Sequence, residues 1–257
     1  MKVAILAGGF GTRISEESDF RPKPMVEIGL KPILWHIMML YSSHGFNDFA
    51  IALGYKGDMI KRWMLDYFEL SGDLRISPNL AKRKSNGNGS VNWTVDMIES
   101  GLNANTGGRI KAMSSVLSDG RFMLAYGDGV SNVDLRKVLA FHEAHGKLAT
   151  MTIVRPPARF GHVELDGARV AQMSEKPQSA EGWINGGFFV LEPEVLEYIE
   201  DESTIFEREP LEQLAQDGQL MAYKHGGFWQ CMDTLRDKRL LEKAWAEGKA
   251  SWAVWEN

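Results

Sequence analysis

Short apolar runs alternate with amphipathic stretches along the 257 residues of this chain. KVAILA (2 to 7) is apolar after its lysine and closed by glycine, the pattern of a strand buried on both faces of a parallel sheet. ILWHIMMLYSSHG follows Lys31 and Pro32, with Pro32 suited to the first helical position and Gly45 to the C-terminal stop. FAIALGY (49 to 55) repeats the buried-strand pattern, and DMIKRWMLDYF after it has helical period with Asp58 as the expected N-cap. Strand, helix, strand, helix predicts a parallel sheet covered on both sides. The polar, Gly/Asn-rich stretch at 81 to 90 predicts a mobile loop.

VNWTVDMI reads as a strand, TGGRIKAMSSVL as a helix, and RFMLAYGDG (121 to 129) as a core strand ending in a tight acidic turn. A helix follows from about Asp134 to His145, closed by Gly146, and then the strand ATMTIV. Beyond Pro156 and Pro157 the period shortens. HVELDGARVAQMSEKP alternates around Asp166 and Gly167, a hairpin signal. INGGFFVLEPEVLEYI gives a strand and a helix, and EPLEQLAQDG gives another helix. MAYKHGGFWQ is strand-like, and MDTLRDKRLLEKAWAEG is a final helix capped by Asp233 or Thr234. The expectation is one α/β domain: a Rossmann-like mixed, mainly parallel sheet flanked by helices, with a nucleotide-binding half (1 to 150) and a β-rich half (151 to 257).

Composition narrows the function classes. Hydrophobic residues at 44% and charged residues at 25% are those of a globular protein with a large core. A net charge of −5 predicts no general attraction to nucleic acid or to an anionic membrane, so any polyanion must be held by a local cluster. The single cysteine, Cys231, allows no intrachain disulfide or Cys-rich zinc site and fits a reducing compartment. The longest apolar stretch, 33 to 40, is too short to span a membrane, and no signal peptide is visible. The expected location is the cytoplasm.

The chemistry starts in LAGGFGTR. The dinucleotide fingerprint G-x-G-x-x-G fits Gly9 and Gly11 but meets Ile14 in place of its third glycine, and G-x-x-x-x-G-K-[ST] would need a glycine at Arg13. Gly8, Gly9 and Gly11 nevertheless bring bare backbone toward the C-terminal edge of the sheet, where open α/β folds bind ligands. Thr12 adds a hydroxyl and Arg13 a planar cation, while Lys23 is held between prolines in R-P-K-P. The plain alternative is a crowded strand-to-helix turn. Two cations beside a bare loop favour an anion between them.

Asp128 in YGDG reads as a turn aspartate or as a magnesium ligand at a strand end. Asp233 in WQCMDT reads as an N-cap or as the second ligand, one carboxylate from each half of the chain. Lys176, in Glu175-Lys176-Pro177, could grip a phosphate, and Asn185-Gly186-Gly187 could approach sugar hydroxyls. His142 and His145 fall near a helix C-terminus, where the dipole favours their charge. Trp63, Trp183, Trp229, Trp245, Trp252 and Trp255 read as core or interface, with Trp229 a candidate sugar contact.

LAGGFGTR followed by RPKP resembles the G-G-x-G-T-R…K-P signature of the sugar-1-phosphate nucleotidyltransferases. The resemblance runs almost end to end through GYKG, TGGR, YGDG, RFG, EKP, INGGFFVLEPEV and GFWQCMDTLRDK, and within the family it is to the branch that uses CTP and glucose 1-phosphate. It implies a nucleotide loop of Leu6, Ala7, Gly8, Gly9, Phe10, Gly11, Thr12 and Arg13, with Gly127 beside it. It further implies Lys23 on the α-phosphate, Arg13 on the leaving diphosphate, and Thr106 and Arg109 near the nucleotide. Asp128 and Asp233 would hold magnesium, and Glu175, Lys176, Asn185, Gly186 and Trp229 would surround the sugar phosphate. Arg13, Lys23 and Asp128 are then the catalytic residues, and a homo-oligomer, a hexamer by resemblance, is expected.

Two departures stand out: residues 81 to 90 do not match the family's usual residues, and Cys231 replaces a common proline. The reaction expected is cytidylyl transfer to glucose 1-phosphate, with no nucleic-acid or membrane partner. The same reaction with UTP or dTTP, and a non-catalytic nucleotide-sugar sensor, stay open on the residues alone.

Overall fold

The computed structural model describes residues 1–11, 14, 20–70, 73–75, 84–86, 91–156, 161–166, 169–175 and 182–256. Thr12, Arg13 and Lys176 therefore lie outside the described residues.

In chain order the first half holds β1 (Lys2–Leu6), a 3-10 turn (Lys23–Met25), β2 (Glu27–Ile28), β3 (Lys31–Pro32) and α1 (Ile33–Ser43). β4 (Asp48–Leu53), α2 (Gly57–Glu69), β5 (Asp73–Arg75), β6 (Lys84–Asn86) and β7 (Thr94–Glu99) follow. Then come α3 (Thr106–Ala112), α4 (Ser114–Leu117), β8 (Phe122–Tyr126), β9 (Gly129–Ser131) and α5 (Leu135–His145). The second half adds β10 (Ala149–Val154), the hairpin of β11 (Gly161–Asp166) and β12 (Arg169–Glu175), β13 (Ile184–Leu191) and a 3-10 turn (Pro193–Tyr198). α6 (Glu209–Gln216), β14 (Leu220–His225), β15 (Trp229–Cys231) and α7 (Leu235–Ala246) complete it.

Seven strands form one sheet in the order β14-β10-β13-β8-β1-β4-β7, so strands of both halves share it. β1 is parallel to β4 and β8, β4 to β7, and β10 to β14, while β13 runs antiparallel to both β8 and β10. The mixed, mainly parallel sheet expected from the sequence is thus the observed one.

Residue size explains the layering. On one face Val3, Ile5, Phe49, Ile51 and Met123 pack with Ile33, Leu34, Ile37 and Met38 of α1. On the other, Ala4, Ala50 and Ala52 leave room for Ile110 and Met113, and Phe122, Leu124 and Phe189 pack with Phe206 and Leu214. Each fully buried large apolar side chain stabilises by about 1.5–3 kcal/mol, so the alternation of small and large residues in β4 sets which helix lies on which face.

Several expectations are corrected in detail. Pro32 is the N-cap of α1 rather than its first residue, because Lys31 and Pro32 first pair with Glu27 and Ile28. Asp58 does not cap α2: Lys56, with φ 52°, occupies that position and Asp58 sits in the first turn. Within 81 to 90, Lys84–Asn86 form a strand paired with Asp73–Arg75 rather than loop. The segment after β13 is a 3-10 turn instead of an α-helix, and TGGRIKAMSSVL breaks at Met113. Most important for the site, RFMLAYGDG is, as expected, a core strand, β8, that ends in a tight acidic turn. The chain turns at Gly127 and Asp128 and re-enters as β9, which pairs with β15.

Candidate active site

The C-terminal ends of β1, β4 and β8 lie side by side in register, and the glycines after them form the floor of a cleft. A cleft of about 290 Å³ opens there, lined by Leu6, Gly8, Gly9, Gly11, Lys23, Pro24, Thr106, Arg109, Tyr126, Gly127, Asp128 and Asp233. Ten of the sequence-expected residues are among these twelve. Ala7, buried, and Phe10, exposed against Tyr55, flank the loop without lining it.

The glycines are explained one at a time. A Cβ on Gly8 would lie 1.8 Å from an Arg109 guanidinium nitrogen and 2.9 Å from the Gly54 backbone nitrogen, so this position is glycine because of packing. A Cβ on Gly127 would lie 2.5 Å from the Leu6 carbonyl oxygen. Gly9 is different: nothing lies within 4 Å of its ideal Cβ, and it is exposed. Gly11 needs glycine for its φ of 66°.

Arg109 lies beneath the loop. Its guanidinium donates to Ser100 Oγ at 2.9 Å, to the Gly101 carbonyl at 3.3 Å and to the Leu53 carbonyl at 3.5 Å, tying the ends of β4 and β7 together. Burial lowers its pKa. Thr106 accepts the Phe206 N–H at 2.9 Å and donates its own proton to Glu207. The two glycines of TGGR are packing residues, since Cβ atoms on Gly107 and Gly108 would lie 2.7 and 2.2 Å from carbonyl oxygens of Thr204 and Glu202.

The electrostatic centre is Lys23. Pro22, at φ −65° and ψ 148°, and the buried Pro24 hold it in a 3-10 turn. Its ammonium donates to Asp128 Oδ2 at 2.6 Å and to Asp233 Oδ1 at 2.5 Å. Burial alone would lower the lysine pKa, but the charge and hydrogen bonds of both aspartates outweigh it and the pKa is raised. Two carboxylates on one ammonium leave the cluster one unit negative.

The β9–β15 pairing makes this convergence. Gly129 stands opposite Cys231, and the Asp128 carbonyl accepts the Met232 N–H at 2.8 Å, which carries Asp233 to Asp128. Asp233 is also released from capping duty. Thr234 caps α7 and forms a capping box with Asp237, so the sequence alternative of Asp233 as cap is excluded. Cys231 is half-buried with its thiol directed at Asp233 Oδ2 at 3.8 Å, and burial, then the nearby carboxylates, push its pKa up to about 12.

These carboxylates fit a hard divalent cation. Both reach one atom, both offer oxygen, and among the described residues no third His, Cys, Asp or Glu joins them. Magnesium usually takes one or two carboxylates and completes its shell with substrate phosphates and water.

Toward the second half, Asn185 donates from Nδ2 to the hydroxyl of the lining residue Tyr126 at 3.1 Å. Gly187, with φ 77°, gives the Tyr126 ring the space a Cβ would fill. Trp229 is only 8% exposed and its indole N–H donates to the Gly186 carbonyl at 2.8 Å, so it clamps this segment from behind instead of facing a ligand. Glu175 ends β12. His142 and His145 are remote from the cleft residues, and burial lowers both pKa values, overriding the helix-dipole expectation.

A family model described as nucleotidyl transferase matches residues 2–244. A curated glucose-1-phosphate cytidylyltransferase of Salmonella typhi is 48% identical over 257 residues, covering 100% of both chains. A probable glucose-1-phosphate cytidylyltransferase of Bacillus subtilis is 41% identical over 99% of this chain and 100% of its own. Among solved structures, a putative glucose-1-phosphate thymidylyltransferase from Bacillus anthracis covers 97% of this chain and 95% of its own with a TM-score of 0.66 at 18% identity, a likeness of fold. No helix among the described residues is long and apolar enough to cross a membrane. By the span of the family model and the identity of its full-length relatives, the chain belongs to the nucleotidyl transferase family.

Proposed function

We propose that this enzyme transfers the cytidylyl group of CTP to α-D-glucose 1-phosphate, giving CDP-glucose and pyrophosphate. The observation that carries the reading is the Lys23–Asp128–Asp233 cluster in a glycine-floored cleft at the sheet edge. Full-length relatives at 48% and 41% identity that are named for this activity support the choice of cytidine and glucose.

In the proposed step a phosphate oxygen of glucose 1-phosphate attacks the α-phosphorus of CTP. The bond from that phosphorus to the bridging oxygen breaks, and its electron pair leaves with pyrophosphate. Such a transfer asks the protein for positioning and charge stabilisation rather than for a nucleophile. Gly9 and Gly11 let the triphosphate approach the backbone, and Arg109 braces the loop from below. Lys23 turns from the aspartates to the α-phosphate, while Arg13 holds the departing diphosphate. Asp128 and Asp233 would hold magnesium, which supplies neutralisation of the charge building on the phosphates. Glu175, Lys176 and Asn185 receive the sugar phosphate, in a 151 to 257 half that completes the nucleotide-binding 1 to 150 half. Cytoplasmic location and a homo-oligomer, a hexamer by resemblance, belong to the same reading.

The test is incubation with CTP, glucose 1-phosphate and magnesium, with the products identified by phosphorus NMR. CDP-glucose and pyrophosphate in equal amounts are expected. Binding of CTP and magnesium with no turnover would return the protein to a nucleotide-sugar sensor.

A further inference from the structure

Asp233 lies with Met232 in the short link between β15 and the Thr234 cap of α7. Three consecutive backbone N–H groups in this stretch have partners that fix the path of the chain. The Met232 N–H donates to the Asp128 carbonyl at 2.8 Å. The next two, those of Asp233 and Thr234, both donate to Asp237 Oδ2, at 3.1 and 2.9 Å.

The Asp237 carboxylate is buried and collects more than a helix cap requires. A capping box ends at the N–H of the cap residue. Here the same oxygen also takes the Thr234 hydroxyl proton at 2.9 Å and reaches one residue further back, to Asp233. Its second oxygen accepts from Gln230 Nε2 at 3.2 Å, and that nitrogen donates to the Cys231 carbonyl at 2.7 Å as well. Gln230 is buried in β15, opposite Val130 of β9. An ionised carboxylate only accepts, and a buried one is tolerated only when hydrogen-bonded. Asp237 therefore joins three parts of the fold: strand β15, the link that carries Asp233, and helix α7. Asp233 is held from behind through its backbone, while its carboxylate is directed forward onto Lys23 at 2.5 Å.

We infer that Asp237 is a positioning residue for the candidate metal site: by holding the Asp233 N–H and tying α7 to β15, it aims the Asp233 carboxylate at the point where Lys23 and Asp128 meet. The inference rests on the proposed function, in which Asp233 is a magnesium ligand. Without this acceptor the link keeps its Met232 anchor alone, and the Asp233 side chain moves on a backbone fixed at one end.

The test compares wild type with D237N, T234A, D233N and the double variant D233N/D237N. Asparagine at 237 keeps the shape but has one acceptor oxygen and one NH₂ group. In either orientation a donor then faces a donor, from Gln230 or from the two backbone N–H groups. T234A removes the cap hydroxyl and leaves the bond from Asp233 to Asp237. Both D237N and T234A should therefore lower the melting temperature, and the two separate in activity. D237N should slow turnover by about ten- to a hundredfold, the usual cost of losing an outer partner of a metal ligand, whereas T234A stays within about twofold of wild type. The double variant should be no slower than D233N. If D237N does not fold, D237E takes its place: glutamate keeps the capping box and, one methylene longer, should still displace Asp233 and slow turnover.

A second readout needs neither substrate nor metal. In crystal structures of the free variants, the Asp233 carboxylate should leave hydrogen-bonding reach of Lys23 in D237N and keep it in T234A. An unmoved Asp233 in D237N, equal losses of turnover in T234A and D237N, or a further loss in the double variant each overturn the inference. Wild-type turnover tests the proposed function separately, and the position of Asp233 keeps the inference testable if that reading fails.

Discussion

Lys23 and Asp233, 210 positions apart in the chain, meet at 2.5 Å, with Asp128 on the same ammonium at 2.6 Å. The free protein thus places a cation where its two aspartates converge. Removing that cation separates two effects. Lys23→Ala and Asp128→Asn should each lower turnover by at least about a hundredfold, the scale of losing one preorganised charge-stabilising group. Near-normal turnover of either would place the chemistry elsewhere.

The same contact predicts a gain. A divalent cation entering the free site must displace an ammonium from both carboxylates. Lys23→Met should therefore bind Mn²⁺ alone more tightly, by roughly tenfold or more, since close opposite charges at partly buried sites are worth a few kcal/mol. Titration followed by electron paramagnetic resonance reads this directly. Equal affinity of Lys23→Met and wild type would show that lysine and metal do not compete.

Asp233 and Thr234 are adjacent but have different work. Asp233→Asn should cost activity and leave the melting temperature near wild type, because the cap belongs to Thr234 and Asp237. Thr234→Ala should do the reverse in stability, losing about 1 kcal/mol and roughly 2–4 °C. Thermal melts of the pair decide it, and a large drop for Asp233→Asn would revive its role as cap.

Gly8 and Gly9 divide in the same way. Gly8→Ala meets Arg109 and the Gly54 backbone and should lower the melting temperature. Gly9→Ala meets nothing in the protein, so its melt should be unchanged while KM for CTP rises. If Gly9→Ala binds CTP normally, the loop does not lie against the nucleotide.

Acid should destabilise the fold through buried neutral histidines. His36 is fully buried; its Nε2 faces the Ile28 carbonyl at 2.9 Å and must carry the proton, while Nδ1 accepts the Trp252 indole N–H. Burial, only partly opposed by backbone carbonyls, lowers its pKa from 6.5 to about 4. A folded-state pKa below the unfolded value means that the unfolded chain binds more protons, so stability is complete above pH 6.5 and falls as pH drops toward 4. His142, His145 and His225, also lowered by burial, act in the same direction. Urea unfolding between pH 7.5 and pH 4, roughly the window set by these shifts, should show the decline, and His36→Gln should flatten part of it. A flat profile across that window would contradict the assignment.

Local order was legible in the chain: the buried β1, the hairpin at Asp166, and α5 with Asp134 as cap and Gly146 at φ 63° each follow from neighbouring residues. The Lys23, Asp128 and Asp233 site was legible as a set of residue types. Its geometry was not, because β9 pairs with β15 across about a hundred residues and no local pattern encodes that register. Glu207 escaped for the same reason: its partner Thr106 lies in another element, and nothing around EREP marks it. Thr234 and Asp233 could not be told apart as caps until the Asp237 side chain was seen to close the box. Arg109 carried a family expectation of nucleotide contact, and the structure adds a bracing role beneath Gly8.

The central claim is cytidylyl transfer to glucose 1-phosphate, and kcat/KM for pyrophosphate release with CTP, UTP and dTTP, each with saturating glucose 1-phosphate and magnesium, tests it most directly. The account predicts that CTP is preferred by at least about tenfold, the discrimination one well-made hydrogen bond to the base supplies. A preference for UTP or dTTP would contradict it.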